Sequence, residues 1–280
     1  MKICKEYSLL SQIVLEVKKK GRTIGFVPTM GALHKGHLSL IQQSKKENDY
    51  TVVSIFVNPL QFNNSEDLQN YPRTIDSDLE KIKSTSSKNT IVYLPLHEEL
   101  FPKNDAFVLI DLNGMDKVME GEFRPGHFNG VVHVVHNLFQ HVQPNRAYFG
   151  EKDFQQLAII KHITKKYDFN IEITSCETIR DKNGLALSSR NSLLSEEEKN
   201  KALILPSILY EIKKQKEKKS PKESIEMANK LFKKSSLKLE YIYLVDSKNL
   251  SILSSEWHKH STCCIAAHCG NVRLIDCMSI

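Results

Sequence analysis

The stretch Thr23-Ile24-Gly25-Phe26-Val27-Pro28-Thr29-Met30-Gly31-Ala32-Leu33-His34-Lys35-Gly36-His37 decides the fold. Its first five residues read as a short apolar strand, and Leu38, Leu40 and Ile41 beyond it begin a helical stripe. A strand that runs through a glycine-bearing turn into a helix is the unit of a doubly wound α/β sheet. Ligands of such sheets bind beyond the carboxyl ends of the strands. His34 and His37 are three residues apart, so near a helix start they face the same way. Gly36 leaves room for a phosphate or a base to approach the backbone. The helix N-terminus adds unpaired N–H groups and the positive end of a dipole. Two imidazoles over that end can donate to phosphate oxygens while charge builds on an α-phosphorus. The plainer reading is a pair of helix-start histidines with no ligand. The strand, the glycine and the second histidine together favour the phosphate reading.

The same alternation extends outward. Leu9, Leu10, Ile13 and Val17 share a helical face upstream. Downstream come a strand at 51–57, a helical stripe at Ile75, Leu79 and Ile82, and strands at 90–94 and 107–112. Val131, Val134, Val135, Leu138 and Val142 mark a long helix before a strand at 147–149. Leu157, Ile160 and Ile163 mark another before a strand at 171–174. This alternation predicts a parallel, doubly wound (Rossmann-like) α/β domain over residues 1–180. The pattern then changes. Ser195 with Glu198, and Ser220-Pro221 with Glu223, fit capping boxes at helix starts. Strand patterns follow at 239–245, 262–267 and 272–277, the last two around Gly270-Asn271. Helices followed by strands predict a smaller α+β C-terminal domain over residues 181–280.

The 280 residues are 40% hydrophobic and 26% charged, with a net charge of +6. That balance fits a soluble globular protein with a real core. No run approaches the roughly 18–20 apolar residues of a membrane helix. The first residues mix Lys2, Lys5 and Glu6 with apolar positions, unlike a signal peptide, so a cytoplasmic location is expected. Much of the positive excess sits in Lys213-Lys214-Gln215-Lys216-Glu217-Lys218-Lys219, which reads as a solvated face. No nucleic-acid motif accompanies it, so neither nucleic acid nor membrane is expected as a partner. Cys4, Cys176, Cys263, Cys264, Cys269 and Cys277 read as reduced, small buried thiols. The repeated ligand pairing of a zinc site is missing from their spacing.

Five further strings carry polar groups. In Val53-Ser54-Ile55-Phe56-Val57-Asn58-Pro59-Leu60-Gln61-Phe62 an apolar strand runs into Asn58 and Gln61. Their amides can serve hydroxyl and carboxylate groups, or Asn-Pro is an ordinary turn. Tyr71-Pro72-Arg73-Thr74 precedes Asp76 and Asp78, acids near the favourable end of a helix. Arg124-Pro125-Gly126-His127-Phe128 is a loop before a helix. Tyr148-Phe149-Gly150-Glu151-Lys152-Asp153-Phe154-Gln155-Gln156 again ends a strand in glycine and opens a helix. There Lys152 is a point charge for a phosphate or half of a surface ion pair. Asp153 holds a ribose hydroxyl or caps the helix, and Gln156 lies one turn further on the same side. Last come Ile179-Arg180-Asp181 and Gly184-Leu185-Ala186-Leu187-Ser188-Ser189-Arg190-Asn191. Two hydroxyls and an arginine there make a triphosphate clamp, or a plain turn before the Ser195 helix.

The His-x-Gly-His string resembles the signature of the nucleotidyltransferase superfamily that includes class I aminoacyl-tRNA synthetases. The longer Pro-Thr-Met-Gly-Ala-Leu-His-x-Gly-His, with the other five strings in order across residues 28–191, resembles the pantothenate synthetase family. Val272-Arg273-Leu274-Ile275-Asp276 resembles that family's closing strand. The resemblance implies ATP-dependent condensation of (R)-pantoate with β-alanine through a pantoyl adenylate, releasing AMP and pyrophosphate. It implies catalytic roles for His34, His37 and Lys152. It implies ATP contacts at Met30, Gly31, Ala32, Leu33, His34, Lys35, Gly36 and His37, at Gly150, Glu151, Lys152 and Asp153, and at Ile179, Leu187, Ser188, Ser189 and Arg190. Gln61, Gln156 and Asn58 are implied contacts of pantoate and β-alanine. Position 187 is Leu where some members carry Met, and both are apolar. Mg²⁺ is expected to bind mainly through the triphosphate oxygens, with no metal held by protein side chains alone. A homodimer is expected. Two rival readings are a superfamily member that keeps the nucleotide in its product, and a basic RNA-binding protein with a vestigial fold.

Overall fold

A computed structural model describes residues 1–85, 88–102 and 110–280. From the N-terminus, β1 (Lys2–Cys4) and α1 (Tyr7–Lys19) lead to β2 (Ile24–Thr29), α2 (Lys35–Glu47) and β3 (Tyr50–Ile55). A 3-10 turn (Pro59–Gln61), α3 (Ser65–Asn70) and α4 (Ile75–Ser84) precede β4 (Thr90–Tyr93). Then come α5 (His97–Leu100), α6 (Glu120–Phe123), α7 (His127–Val142), β5 (Arg146–Gly150), α8 (Phe154–Lys166) and β6 (Glu172–Cys176). Helices α9 (Glu196–Ala202), α10 (Ile204–Gln215) and α11 (Pro221–Phe232) are followed by β7 (Lys238–Asp246), β8 (Ser261–Cys269) and β9 (Val272–Ser279).

The first six strands pair in the order β1-β4-β3-β2-β5-β6, all parallel. From β2 the chain builds one half through β3 and β4, then returns to build the other through β5 and β6. The switch point therefore lies between β2 and β5, and the carboxyl ends of those strands are where a ligand crevice belongs. Alternate residues of β2 face opposite layers, as strand geometry requires. Val27 joins Leu40 and Ile41 of α2 and Ile82 of α4 in one apolar layer. Phe26 meets the Phe139 ring of α7 edge-on in the other. The doubly wound α/β architecture expected from the alternation is present.

The chain divides into two compact units. The first comprises Met1–Asn113, Arg124–Gly150 and Ile159–Cys176. The second comprises Gly114–Phe123, Glu151–Ala158 and Glu177–Ile280. Relative to the expected 1–180 and 181–280, the second unit starts its C-terminal stretch at Glu177 and also takes in two short segments from within 1–180. Its three-stranded sheet β7-β8-β9 is antiparallel. Ile208, Leu209 and Ile212 of α10, with Ala228 and Phe232 of α11, pack with Leu244 and Ile265 of that sheet. Both expected capping boxes form, at Ser195 with Glu198 and at Ser220 with Glu223.

Some details differ from the sequence reading. Strand β1 was not anticipated, because three residues at a sheet edge carry no measurable alternation. Leu9 is exposed; the buried face of α1 is Leu10, Ile13, Val14 and Val17. Most of the expected strand at 107–112 lies outside the described residues, and residues 110–112 are not in a strand.

Helix α7 closes on the 3-10 turn through Gly130. A Cβ there would sit 2.3 Å from the Leu60 carbonyl oxygen and 2.8 Å from the Gln61 nitrogen. Both obstacles are backbone, so no rotamer change relieves them. Gly130→Ala should destabilise the protein by about 1–3 kcal/mol. The expected readout is a lower urea midpoint with an unchanged slope, while a midpoint equal to that of the unmodified chain would contradict the close packing described.

Candidate active site

In the first unit, the carboxyl end of β2 leads directly into the His34–His37 turn. Thr29 Oγ1 donates to the Ser54 carbonyl at 2.8 Å and accepts the Gly31 N–H at 3.2 Å, binding the start of the loop to β3. Gly31 and Ala32 both adopt positive φ, +83° and +48°. The chain then enters α2 with His34 as its N-cap. His34 Nδ1 accepts the Gly36 N–H at 3.1 Å, and His37 Nδ1 accepts the His34 N–H at 3.3 Å. This is a reciprocal capping box built from imidazoles rather than a hydroxyl and a carboxylate. The two rings lie 4.1 Å apart between centroids. Because each Nδ1 accepts, each neutral ring carries its proton on Nε2 and presents that N–H as a donor. The residues expected to face one way therefore do so, with a tautomer set by the backbone.

Gly36 meets a further steric demand within the turn itself. A Cβ at position 36 would lie 2.8 Å from His34 Cε1 and 2.9 Å from His34 Nδ1. The missing side chain makes room for the His34 ring itself. Lys35 is exposed, Met30 half-buried and Leu33 buried.

Asn58 and Gln61 come together in the 3-10 turn, and both are buried. Asn58 Oδ1 accepts the Leu60 N–H at 3.2 Å, and its amide donates to the Gly130 carbonyl at 3.0 Å and to Gln61 Oε1 at 3.3 Å. Asn58 thus shapes the turn that carries Gln61. The Gln61 amide in turn lies 2.8 Å from Met30 Sδ, so the two strings meet. Arg124 and His127, for which the sequence offered no role, both hold the Gln61 backbone. His127 Nδ1 donates to its carbonyl at 2.8 Å and Arg124 Nη2 at 3.2 Å. Gly150 ends β5, the strand beside β2.

The second unit holds the other expected residues. Glu151, Lys152 and Asp153 form a 3-10 turn before α8. Lys152 Nζ is 3.4 Å from Asp153 Oδ1, the local ion pair that the sequence also allowed. The Cys277 thiol donates to the Glu151 carbonyl at 3.0 Å and anchors the turn on β9. Gln155 is buried and ties α8 to the Gly114–Phe123 segment. Its amide donates to the Met115 and Val118 carbonyls and its oxygen accepts the Glu120 N–H. Gln156, next to it, is half-buried.

Ile179 and Leu187 close a small hairpin through Leu187 N–H to Ile179 carbonyl at 2.9 Å, with Arg180 and Ala186 bridged inside it. Arg180 grips Asp276 of β9 with both terminal nitrogens, at 2.6 and 2.9 Å. Burial pushes the Asp276 carboxyl up, and the Arg180 guanidinium opposes that rise. Ser188 Oγ accepts the Arg190 N–H at 3.2 Å and caps the 3-10 turn of Ser189–Leu193. That bond uses an acceptor lone pair of Ser188 and not its proton. In the sequence Asp276 reads only as part of a closing strand; the signal for its role is a lone acid inside a largely apolar strand.

Among the described residues, no group of three or more His, Cys, Asp or Glu side chains is arranged to hold a metal ion. Nor is any helix among them long and apolar enough to cross a membrane.

Comparison with known proteins bears on this arrangement. A family model described as pantoate-beta-alanine ligase matches residues 2–279. The pantothenate synthetase of Flavobacterium psychrophilum is 46% identical over 261 residues, covering 92% of each chain. That of Bacteroides thetaiotaomicron is 43% identical, covering 99% of this chain and 98% of its own. The crystal structure of the Thermus thermophilus enzyme superposes with a TM-score of 0.92 at 34% identity, over 99% of both chains. The Francisella tularensis ligase, solved in complex with beta-gamma ATP and beta-alanine, gives 0.80 at 36% identity, over 100% of this chain and 97% of that one. With a family model matching nearly the whole chain and relatives above 40% identity along it, the chain belongs to the pantoate–β-alanine ligase family.

Proposed function

We propose that the chain joins (R)-pantoate to β-alanine using ATP, through a pantoyl adenylate. The observation that carries the reading is the imidazole capping box at the start of α2, which holds both rings by Nδ1 at a helix N-terminus and so puts the ring proton of each on Nε2. Family membership supplies the substrates. A pantoate carboxylate oxygen attacks the α-phosphorus of ATP, the bond to the β-phosphate oxygen breaks, and pyrophosphate leaves. The β-alanine amine then attacks the acyl carbon of the mixed anhydride. The amine loses a proton, the acyl–oxygen bond breaks, and AMP leaves with pantothenate as the other product.

No covalent bond to the protein is needed, so its tasks are alignment and charge stabilisation. His34 and His37 donate to the α-phosphate as its charge shifts. Lys152, Ser188, Ser189 and Arg190 offset charge on the triphosphate. Gln61 and Gln156 orient pantoate through its hydroxyl and carboxylate groups, and Asn58 holds Gln61 in place. Met30, Gly31, Ala32, Leu33, Lys35, Gly36, Gly150, Glu151, Asp153, Ile179 and Leu187 are assigned to the walls of the ATP site. Mg²⁺ enters mainly on the triphosphate oxygens, as part of the substrate. A homodimer in the cytoplasm completes the reading; sedimentation at micromolar concentration tests the first part.

The direct test is pyrophosphate release from Mg·ATP with (R)-pantoate, with and without β-alanine, and products identified by mass. Sustained turnover to AMP and pantothenate is expected only with both substrates. A product that retains the nucleotide would favour another superfamily activity, and no ATP cleavage would favour the RNA-binding reading. Replacing His34 or Lys152 by Ala should lower kcat by roughly 10²–10³-fold, the usual consequence of removing one preorganised donor. Circular dichroism should be unchanged. Wild-type turnover in a folded variant would remove that residue from the mechanism.

A further inference from the structure

Asp78 is the fully buried acid in the first turn of α4. Its Oδ1 accepts the Leu33 N–H at 2.7 Å and its Oδ2 accepts the Ala32 N–H at 2.9 Å. These consecutive donors lie in the bend between β2 and α2, immediately before His34. The bend does not form unaided: Ala32 carries a side chain in the left-handed region, a conformation that persists only where its surroundings impose it. Among short side chains only a carboxylate offers two acceptor oxygens in one plane. An amide in its place would turn an NH₂ toward one of the N–H groups.

Two neighbours complete the grip. Lys81, one turn further along α4, donates to the Leu33 carbonyl at 2.8 Å, so both polar groups of the Leu33 backbone are held from the same helix. Its ammonium also lies 3.9 Å from Asp78 Oδ1, which moderates the buried charge. Gly31 has no room to be anything else. A Cβ there would meet Ile55 Cγ2 at 3.0 Å and Asp78 Oδ2 at 3.2 Å, at a φ that suits glycine.

We propose that Asp78, supported by Lys81, is a positioning residue for the reaction: its carboxylate sets the Ala32–Leu33 backbone so that His34 and His37 meet the α-phosphate of ATP. The bent loop hands its direction to the N-cap, and the N-cap hands it to both rings through their Nδ1 bonds. The Ala32 and Leu33 N–H groups are taken by Asp78, so these residues wall the nucleotide site without donating those N–H groups to phosphate. The inference rests on the proposed adenylation and deepens it.

The test uses the full chain with Asp78→Asn. Affinity for a non-hydrolysable β,γ-ATP analogue is measured by calorimetry, and pantoate-dependent ATP–pyrophosphate exchange is followed separately. Losing one charge-assisted hydrogen bond should cut exchange by about 10- to 100-fold. Affinity for the analogue should weaken in the folded fraction, while KM for β-alanine stays within about two-fold of its original value. A merely structural role would lower the folded fraction and leave the analogue affinity of the remainder intact. That result, or a folded variant that binds and exchanges as the unmodified chain does, overturns the proposal. Should Asp78→Asn fail to fold, Lys81→Met decides. It alters a side chain that is 40% exposed and should reduce exchange and analogue affinity several-fold; no change in either overturns the proposal. Absence of exchange in the unmodified chain would instead sink the adenylate reading, and the analogue affinities would still judge Asp78.

Discussion

The pairing of β2 on both of its edges is the constraint on which the first unit depends. On one side it pairs with β3 along its whole length, from Ile24↔Tyr50 to Thr29↔Ile55. On the other it pairs with β5 only at Gly25↔Arg146 and Phe26↔Ala147. Pro28, which has no N–H to give a ladder, lies in the stretch without a β5 partner. The sheet thus forks at the carboxyl ends of β2 and β5, where the order of strands reverses. The loop that leaves β2 stays tied to β3 through Thr29 and to α4 through Asp78. A crevice at that fork follows from strand order, and its lining follows from what the loop is tied to.

The second unit is organised by buried charge. Arg180 and Asp276 form one bidentate pair. Arg273 reaches Glu120 with two nitrogens and also pairs with Glu240. The Tyr241 hydroxyl donates to the same Glu120 at 2.8 Å, and burial with that carboxylate pushes the phenol well up. Desolvating such groups costs several kcal/mol per ion, so each pair is weak evidence of net stability but strong evidence of a required geometry. Breaking one partner would strand the other. Arg180–Asp276 and Arg273–Glu120 join residues more than ninety positions apart, and the second of these holds Gly114–Phe123 in a unit built mainly from Glu177–Ile280.

That distance also explains what was legible in the sequence. The parallel sheet was legible because each buried strand is a short apolar run between helical stripes, a local pattern. The two capping boxes were legible for the same reason. The His34–His37 pair was legible because three residues of spacing on a helix start admit few geometries. What escaped was long-range. Asp78 reads as an acid near a helix start, and only the fold brings the Ala32–Leu33 backbone to it, forty-five positions upstream of the carboxylate. Arg124 and His127 read as an exposed loop, and only the fold sets them on the Gln61 carbonyl. The steric fit of Gly36 to the His34 ring escaped because it depends on the rotamer of His34, two residues away.

On the proposed reading, in which His34 and His37 donate to the α-phosphate, the choice of imidazole at the start of α2 follows from these constraints. A lysine or arginine there would bind the resting triphosphate strongly, and interactions equal in ground and transition states do not speed the chemical step. A neutral N–H donor holds the resting phosphate less and gains as negative charge concentrates on it. Such a donor works only if it is aimed, because it lacks the long reach of a full charge. Aiming is what the surrounding residues supply. Both Nδ1 atoms accept backbone N–H groups, so protonating either ring would break the bond that orients it. Gly36 leaves the space for one ring, and Asp78 bends the chain into the helix start. The buried carboxylate, the left-handed alanine and the crowded glycine are thus one requirement met three times: neutral donors whose effect depends on direction.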